Sequence, residues 1–442
     1  MEEILSFNWK PTSRNEKSIW IAQRRTPRSN AYNINFLLRT SVSLQTPDLE
    51  QAFNTLCELY PILRSRYVLV DGELLKRYSE GAKLSFFKSL SFNPENEADA
   101  ANDWYGELAK RSYDLENEPP IRLAVCNSHN NGSEVLLGLH HIIADGVSVN
   151  TLATQLGQLY RGEEVEREDA DYSNFISSQS EYLNSTTAKI DQRFWKRNVA
   201  EFSKNKNIET GLSELTSHEL GKAKHLTFDL GQDNVYDLRE IAAKFGTTLF
   251  TVLASCVHAS IGRVGGRNWA MLGVPVSQRN LGNFARTPGY FVNLLPVCLP
   301  INWDANVAMH LSSIRDYLAR AIPHKHLPLD EIGKSLPHSN TLQTVLNYRT
   351  VLLDPSTWDM EIEMEQIWPE EAKYPLAYYI SKSKSGLLVR LEYAPSRIPD
   401  YLAGQIIRIT SGMILTLASS LEMPAWQWAD VTEASISIEP TG

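Results

Sequence analysis

Residues 135–148 constrain this chain more than any other stretch, because they run from an apolar segment through His140-His141 to Asp145-Gly146 and Ser148. Residues 135–139 are apolar throughout except for Gly138, which fits a strand buried on both faces better than one with a solvated side. The chain then leaves the sheet through Ala144-Asp145-Gly146, a turn signal. Ser148 is placed to cap a helix that carries Leu152, Leu156, Leu159 and Tyr160 on one face. Both histidines therefore fall near the carboxyl end of a strand, where mixed α/β folds often place their sites. Adjacent strand residues point to opposite faces, so only one of the pair looks into a given cleft while the other packs or orients it. A histidine titrates near neutrality, so a cleft-facing ring can take a proton at cellular pH. A lone histidine in such a run is ordinarily a satisfied core residue. Asp145 alters that reading, since a carboxylate beside a buried strand requires a cationic partner.

At 442 residues the chain exceeds one typical core and suggests two subdomains. The charged stretch 161–171, poor in apolar residues, reads as a surface connection between halves, which gives 1–171 and 172–442. A formal net charge of −9 and the lack of a basic cluster with interleaved aromatics argue against a nucleic-acid partner. Cys57, Cys126, Cys256 and Cys298 are far apart, with no CxxC pair and no metal-ligand spacing, so reduced core thiols in a cytoplasmic protein are expected. The acidic start lacks the basic and apolar regions of a signal peptide. The apolar helix around 249–261 is interrupted by polar residues and too short to cross a bilayer, so no membrane partner is expected. His324 and His326 are two apart without further ligands nearby, and they read as loop residues rather than metal ligands.

Along the chain, an extended segment spans 31–44, and a helix opens with Thr46 and Pro47 and buries Leu49, Phe53, Leu56 and Tyr60. Residues 63–68 lead into a hairpin that turns at Asp71-Gly72. Two strands follow at 121–126 and 134–141. Residues 172–194 read as one bridging helix and 205–217 as a polar loop. The second half repeats the plan with a strand at 225–230, helices at 235–245 and 249–261, a strand at 268–275, a helix near 307–321, and strands near 342–348, 377–381 and 386–393.

Taken together, these segments resemble the condensation domains of nonribosomal peptide synthetases, within the chloramphenicol acetyltransferase-like superfamily. The resemblance runs from about Ser13 to Tyr393. Residues 139–148 match the family's His-His-x-x-x-Asp-Gly motif, residues 63–67 resemble its Leu-Arg-Thr-x-Phe, and residues 289–293 resemble its Gly-x-Phe-Val-Asn. Residues 273–280 resemble the strand that carries the family's arginine facing the motif aspartate. Departures occur at Asn15 and Glu16, where the family has Ala-Gln, at Tyr60 for histidine, at Asn174 for aspartate, and at His326 and Leu329.

The resemblance implies an α/β fold of two acetyltransferase-like subdomains with mixed sheets, arranged as a V-shaped pseudo-dimer with a central tunnel. Phosphopantetheine arms of carrier proteins enter that tunnel, one with an acyl thioester donor and the other with an amine; a free small-molecule amine is the other acceptor considered. It also implies that His141 is catalytic, with His140, Asp145, Gly146, Arg279 and Arg64 in support. Asp145 is expected to pair with Arg279, or to share Arg64. Gly146 is expected to let the donor arm pass and to offer its amide to a developing oxyanion. Ser277 and Asn293 are tunnel candidates, each with a simple structural hydrogen bond as the alternative. No covalently bound cofactor is expected, since no Gly-Gly-x-Ser attachment site occurs. The expected function is amide formation. The competing readings are an acyltransferase using coenzyme A donors or hydroxyl acceptors, and a noncatalytic carrier-docking module.

Overall fold

The computed structural model describes residues 9–79, 85–88, 97–127, 132–166, 168, 171–204, 220–334, 343–349, 358, 360–430 and 438–441. The expected loop at 205–217 lies outside them. Contacts group the chain into two compact units, Met1–Glu181 with Arg279–Val292 and Val351–Glu370, and Tyr182–Gln278 with Asn293–Thr350 and Glu371–Gly442. The contiguous division at 171/172 therefore differs from the contact units, into which two later segments return.

The first unit is built on a five-stranded sheet in the order Ile362–Ile367, Asn33–Thr40, Ser133–His140, Ile121–Asn127, Ser85–Lys88. All pairings are antiparallel except the last, which is parallel. Ser133–His140 lies at the centre and is covered on both sides, as its apolar run predicts. Val135, Leu137 and Leu139 pack with Leu49, Phe53, Leu56, Leu152 and Leu156 from the helices Thr46–Leu59 and Gly146–Tyr160. Leu136 packs on the other side with Leu37, Ala124 and Tyr105. Gly138 is required here, because a Cβ would come within 2.8 Å of Arg122 Cγ and 3.0 Å of the Tyr113 hydroxyl. The hairpin Ser65–Val70 with Glu73–Tyr78 forms as expected, with Asp71 and Gly72 at φ 49° and 80°, the left-handed pair of a type I′ turn.

In the second unit a seven-stranded mixed sheet runs Val292–Pro300, Trp269–Ser277, Thr344–Tyr348, Leu376–Lys382, Gly386–Tyr393, Lys224–Gly231, Glu439–Thr441. Helices Gln232–Lys244, Leu249–Val264, Val307–Ala321 and Asp400–Ser420 pack with one face through Phe228, Leu230, Leu272, Val274, Leu346, Tyr378, Ile380, Val389 and Leu391. By alternation His225, Thr227, Tyr379, Arg390 and Glu392 stand on the opposite face. Asp400–Ser420, not anticipated from the sequence, is by length and composition the one helix among the described residues long and apolar enough to cross a membrane. Here its Ile406, Ile407, Met413, Ile414 and Leu417 are core residues.

The single helix expected over 172–194 is two, Tyr172–Leu183 and Thr186–Lys204. The polar pair Asn184-Ser185 breaks it, and the Ser185 hydroxyl accepts from the Ala188 amide at 3.2 Å. The four cysteines are buried and free, as the reading of core thiols requires.

Candidate active site

The backbone at the end of the central strand is fixed before either imidazole is considered. The His140 amide donates to Pro120 O at 2.9 Å, and the His141 amide donates to Tyr32 O at 2.8 Å. Alternation then separates the rings. His140 is fully buried; its Nδ1 accepts from the Ile142 amide at 3.1 Å, and its Nε2 lies 3.3 Å from Gln23 Oε1. Since Nδ1 accepts, Nε2 carries the proton in the neutral ring and donates to the amide oxygen. Tyr32 and Tyr113 pack against it with centroids 6.1 and 5.8 Å away.

His141 is only half-buried. Its Nδ1 lies 3.1 Å from Ala144 O. A carbonyl only accepts, so Nδ1 bears the proton and Nε2 of the neutral ring keeps the basic lone pair. The ring meets Tyr290 edge-on at 5.7 Å. Burial raises the Tyr290 phenol above its ordinary range, so this neighbour stays neutral.

Asp145 caps the helix Gly146–Tyr160 with extended φ −118° and ψ −176°, accepting from the Ser148 amide at 2.9 Å. Ser148, read from the sequence as the cap, sits inside the first turn instead. Its hydroxyl lies 2.8 Å from Asp145 Oδ1 and 2.8 Å from Gly289 O, and it accepts from the Gly289 amide at 3.0 Å and from Arg279 at 3.0 Å. The Arg279–Asp145 pair forms as expected, at 2.7 Å, with both side chains buried. Arg279 also donates to Phe284 O at 2.6 Å and Thr287 O at 2.7 Å, and it lies over the Phe291 ring at 4.2 Å. The pair thus ties the helix start to the segment that carries Tyr290. Gly146 opens the helix and is exposed, and a Cβ there would meet no protein atom within 4 Å. Of the first helix amides, those of Ser148 and Val149 are held by Asp145, at 2.9 Å through its carboxylate and 3.0 Å through its carbonyl.

One expectation needs correction, and for Asn293 the structure favours the alternative of a structural hydrogen bond. Arg64 does not share Asp145; it donates to Cys57 O at 2.9 Å and Ser79 O at 2.8 Å, and so braces the turn that follows helix Thr46–Leu59. Asn293 is buried and spent on structure, donating to Lys325 O and Leu327 O at 2.9 and 2.7 Å and accepting from the Leu329 amide at 3.0 Å. Ser277 is exposed at the end of its strand. Among the described residues no group of three or more His, Cys, Asp or Glu is arranged to hold a metal. His324 instead bonds Asp191 at 2.6 Å and stacks on Phe194 at 3.9 Å.

Sequence reasoning missed the role of Glu16, noted only as a departure. It is fully buried, paired with Lys76 at 2.7 Å, bonded by the Tyr67 hydroxyl at 2.9 Å, and joined to the Ser13 amide at 2.7 Å in a capping box. A carboxylate in place of an amide is stable there because Lys76, equally buried, arrives from the hairpin.

The chain is thus a mixed α/β protein whose central strand ends in a half-buried, tautomer-fixed histidine beside a locked carboxylate. The model of the Condensation domain family matches residues 11–435, and the chain belongs to that family. Gramicidin S synthase 2 from Aneurinibacillus migulanus is 22% identical over 425 residues, covering 94% of this chain but 9% of that protein. The chain thus spans about a tenth of the length of this curated relative. The first condensation domain of the calcium-dependent antibiotic synthetase, in complex with substrate analogue 3a, superposes with TM-score 0.78 at 18% identity over 98% of this chain and 99% of that one. A variant starter condensation domain of rhizomide synthetase RzmA, in complex with C8-CoA, gives TM-score 0.81 at 19% identity over 99% of both chains.

Proposed function

We propose that this condensation domain forms an amide between an acyl or aminoacyl thioester and an amine in nonribosomal peptide synthesis, with His141 as the group that handles the amine proton. Condensation domains of peptide synthetases act on carrier-bound substrates. For this chain the donor, and the acceptor where it is not a free amine, arrive on phosphopantetheine arms of carrier proteins. The observation that carries the reading is the bond from His141 Nδ1 to Ala144 O at 3.1 Å, which leaves Nε2 as the basic atom of a half-buried ring. The amine nitrogen attacks the thioester carbon, Nε2 accepts the proton that the nitrogen loses, and the C–S bond breaks as the tetrahedral intermediate collapses. The departing sulfur then takes the proton from the imidazolium. An α-amine has a pKa of about 8, so a neutral fraction exists at cellular pH and holding the amine contributes alongside basicity. The Gly146 amide, at a helix start where a Cβ would meet no protein atom within 4 Å, is suited to a developing oxyanion. Four free buried thiols support residence in the reducing cytoplasm.

The neighbour bound to C8-CoA favours a second reading, in which the donor is a coenzyme A thioester. One experiment separates these readings and tests the first. The chain is incubated with an acyl-loaded carrier protein and an amine, with or without an acceptor carrier, and product is read by intact mass. Product from the loaded carrier that is lost with His141→Ala supports the proposal. Product from acyl-CoA alone replaces it with the second reading, and turnover by His141→Ala at the parent rate removes His141 from the chemistry.

A further inference from the structure

The Nδ1 bond to Ala144 O fixes one atom of the His141 ring but not, by itself, the tilt of its plane. The tilt, and with it the direction of Nε2, is set by what the ring packs against, and Tyr290 meets it edge-on at 5.7 Å. Tyr290 lies in the short segment before the strand Val292–Pro300, and side chains at the starts of two helices hold the backbone of that segment. From the start of helix Gly146–Tyr160, the Ser148 hydroxyl bonds both the amide and the carbonyl of Gly289, at 3.0 and 2.8 Å, and Asp145 accepts from the Phe291 amide at 3.4 Å. The carbonyl of Tyr290 itself accepts from the hydroxyl of Tyr172, the first residue of helix Tyr172–Leu183, at 2.8 Å.

We propose that Tyr172 is a positioning residue for His141, acting through Tyr290; this rests on the reading of His141 as the group that handles the amine proton. The hydrogen bonds that lead to Tyr290 have a definite direction. A carbonyl only accepts, so the Tyr172 proton is spent on Tyr290 O, and the Ser13 hydroxyl, 3.0 Å away, donates to Tyr172. Ser13 Oγ in turn accepts from the Glu16 amide at 3.0 Å. The run Glu16, Ser13, Tyr172, Tyr290 is buried throughout, and bonds ordered head to tail in such surroundings strengthen one another. Two contacts fix the Tyr172 ring as well: Lys76, whose charge Glu16 balances, lies 4.8 Å from its centre, and Phe291 meets it edge-on at 5.0 Å. Burial first, and then the Glu16 charge, hold the Tyr172 phenol well above its ordinary range, so its hydroxyl stays a donor at cellular pH. Through Lys76 and Ser13 together, Glu16 is thus tied to the ring against which His141 rests.

The test uses the whole chain, and its first readout does not depend on amide formation. Long-range proton–nitrogen spectra of the chain carrying isotope-labelled histidine report the tautomer of each imidazole, and the His141 signals are identified by their loss in His141→Ala. The neutral ring in the parent should show the Nδ1–H form. Tyr172→Phe keeps the ring and removes one hydroxyl, and it should bring in a second population protonated at Nε2. With a loaded carrier and an amine, the same variant should lower kcat about tenfold and leave KM for the carrier within about twofold, the pattern of a misplaced rather than a missing group. Tyr290→Leu should match that loss, and Tyr290→Phe, which restores the ring, should recover most of it. Leu44→Ala is the control for stability: Leu44 is buried, and its amide bonds Ser133 at the opposite end of the strand Ser133–His140. It should lower the melting temperature and leave the His141 signals in place. Parent-like His141 signals in Tyr172→Phe, or the same second population in Leu44→Ala, overturn the assignment. A second His141 population in Tyr172→Phe, in a chain whose parent forms no amide with loaded carriers, overturns only the proposed function.

Discussion

Removing the Asp145 carboxylate is expected to cost the first unit more than a missing helix cap. An N-cap replaced by alanine typically loses about 1 kcal/mol. Asp145 also neutralises Arg279, and both side chains are under a tenth exposed. Deleting one member of a buried pair strands the other, at about 3 to 5 kcal/mol. Arg279 would keep the carbonyls of Phe284 and Thr287, which satisfy its donors without balancing its charge, so we expect Asp145→Ala to lie within that range. Asp145→Asn retains a capping oxygen but not the charge, and should recover only about the 1 kcal/mol of the cap. The assay is urea unfolding followed by tryptophan fluorescence, run as a cycle with Arg279→Met. The double variant should be more stable than the summed single losses predict, by about 2 to 3 kcal/mol for groups in direct contact. Additive losses, or a cost for Asp145→Ala no greater than that of a cap, would refute the coupling.

Three further outcomes follow from the same geometry. His141→Ala should lower the condensation rate about a hundredfold with little change in melting temperature, the scale of a lost general base, whereas His140→Ala should act mainly through stability; single-turnover rates and melting curves on both variants separate the roles. Gly138→Ala should cost about 1 to 3 kcal/mol by overpacking, because its neighbour Arg122 is pinned by Leu108 O and Arg111 O at 2.9 and 2.8 Å and lies 3.7 Å from the Tyr113 ring centre; an unchanged urea midpoint would contradict this. Finally, burial pulls His258 and His310 down to about 3 and about 4. The unfolded chain therefore binds protons near pH 6.5 that the folded chain refuses, and stability should fall from pH 6.5 towards pH 4, with His310 contributing roughly 3 kcal/mol. His310→Gln should flatten the urea midpoint against pH, and an unaltered slope would exclude His310 as the cause.

The parts legible in the sequence are those where local pattern and burial agree. The apolar run before His140, the alternation that splits the two histidines, and the left-handed pair Asp71-Gly72 each specify local geometry, and the fold has it. That Asp145 has a cationic partner is legible because a charge beside a buried strand requires one, whereas Arg279 as that partner follows only from the resemblance of residues 273–280. Arg64 was assigned too far from its neighbours, since nothing in a sequence tells whether an arginine serves a carboxylate or nearby carbonyls. Ser148 was mistaken for the cap because Asp145 one turn earlier satisfies the same rule, and only the backbone angles decide between them. The contact of Tyr290 with His141 depends on a segment that returns from far along the chain, and no periodicity encodes that. The strand Ile362–Ile367 was missed because its polar residues give an edge-strand pattern, with half-buried Met364 and exposed Glu363 and Glu365.

That strand also sets the order in which the molecule can be completed. Ile362–Ile367 pairs along the full length of Asn33–Thr40, and Arg39 bonds Glu365 across 326 residues of sequence. During synthesis, one hydrogen-bonding edge of residues 33–40 has no native partner until residues 362–367 have left the ribosome. A sheet closed by so distant a segment folds slowly, and its open edge is a template for pairing with another chain. A fragment ending at residue 171 would keep the histidine motif and lose this closing strand, and it is expected to associate through the edge that Asn33–Thr40 then exposes.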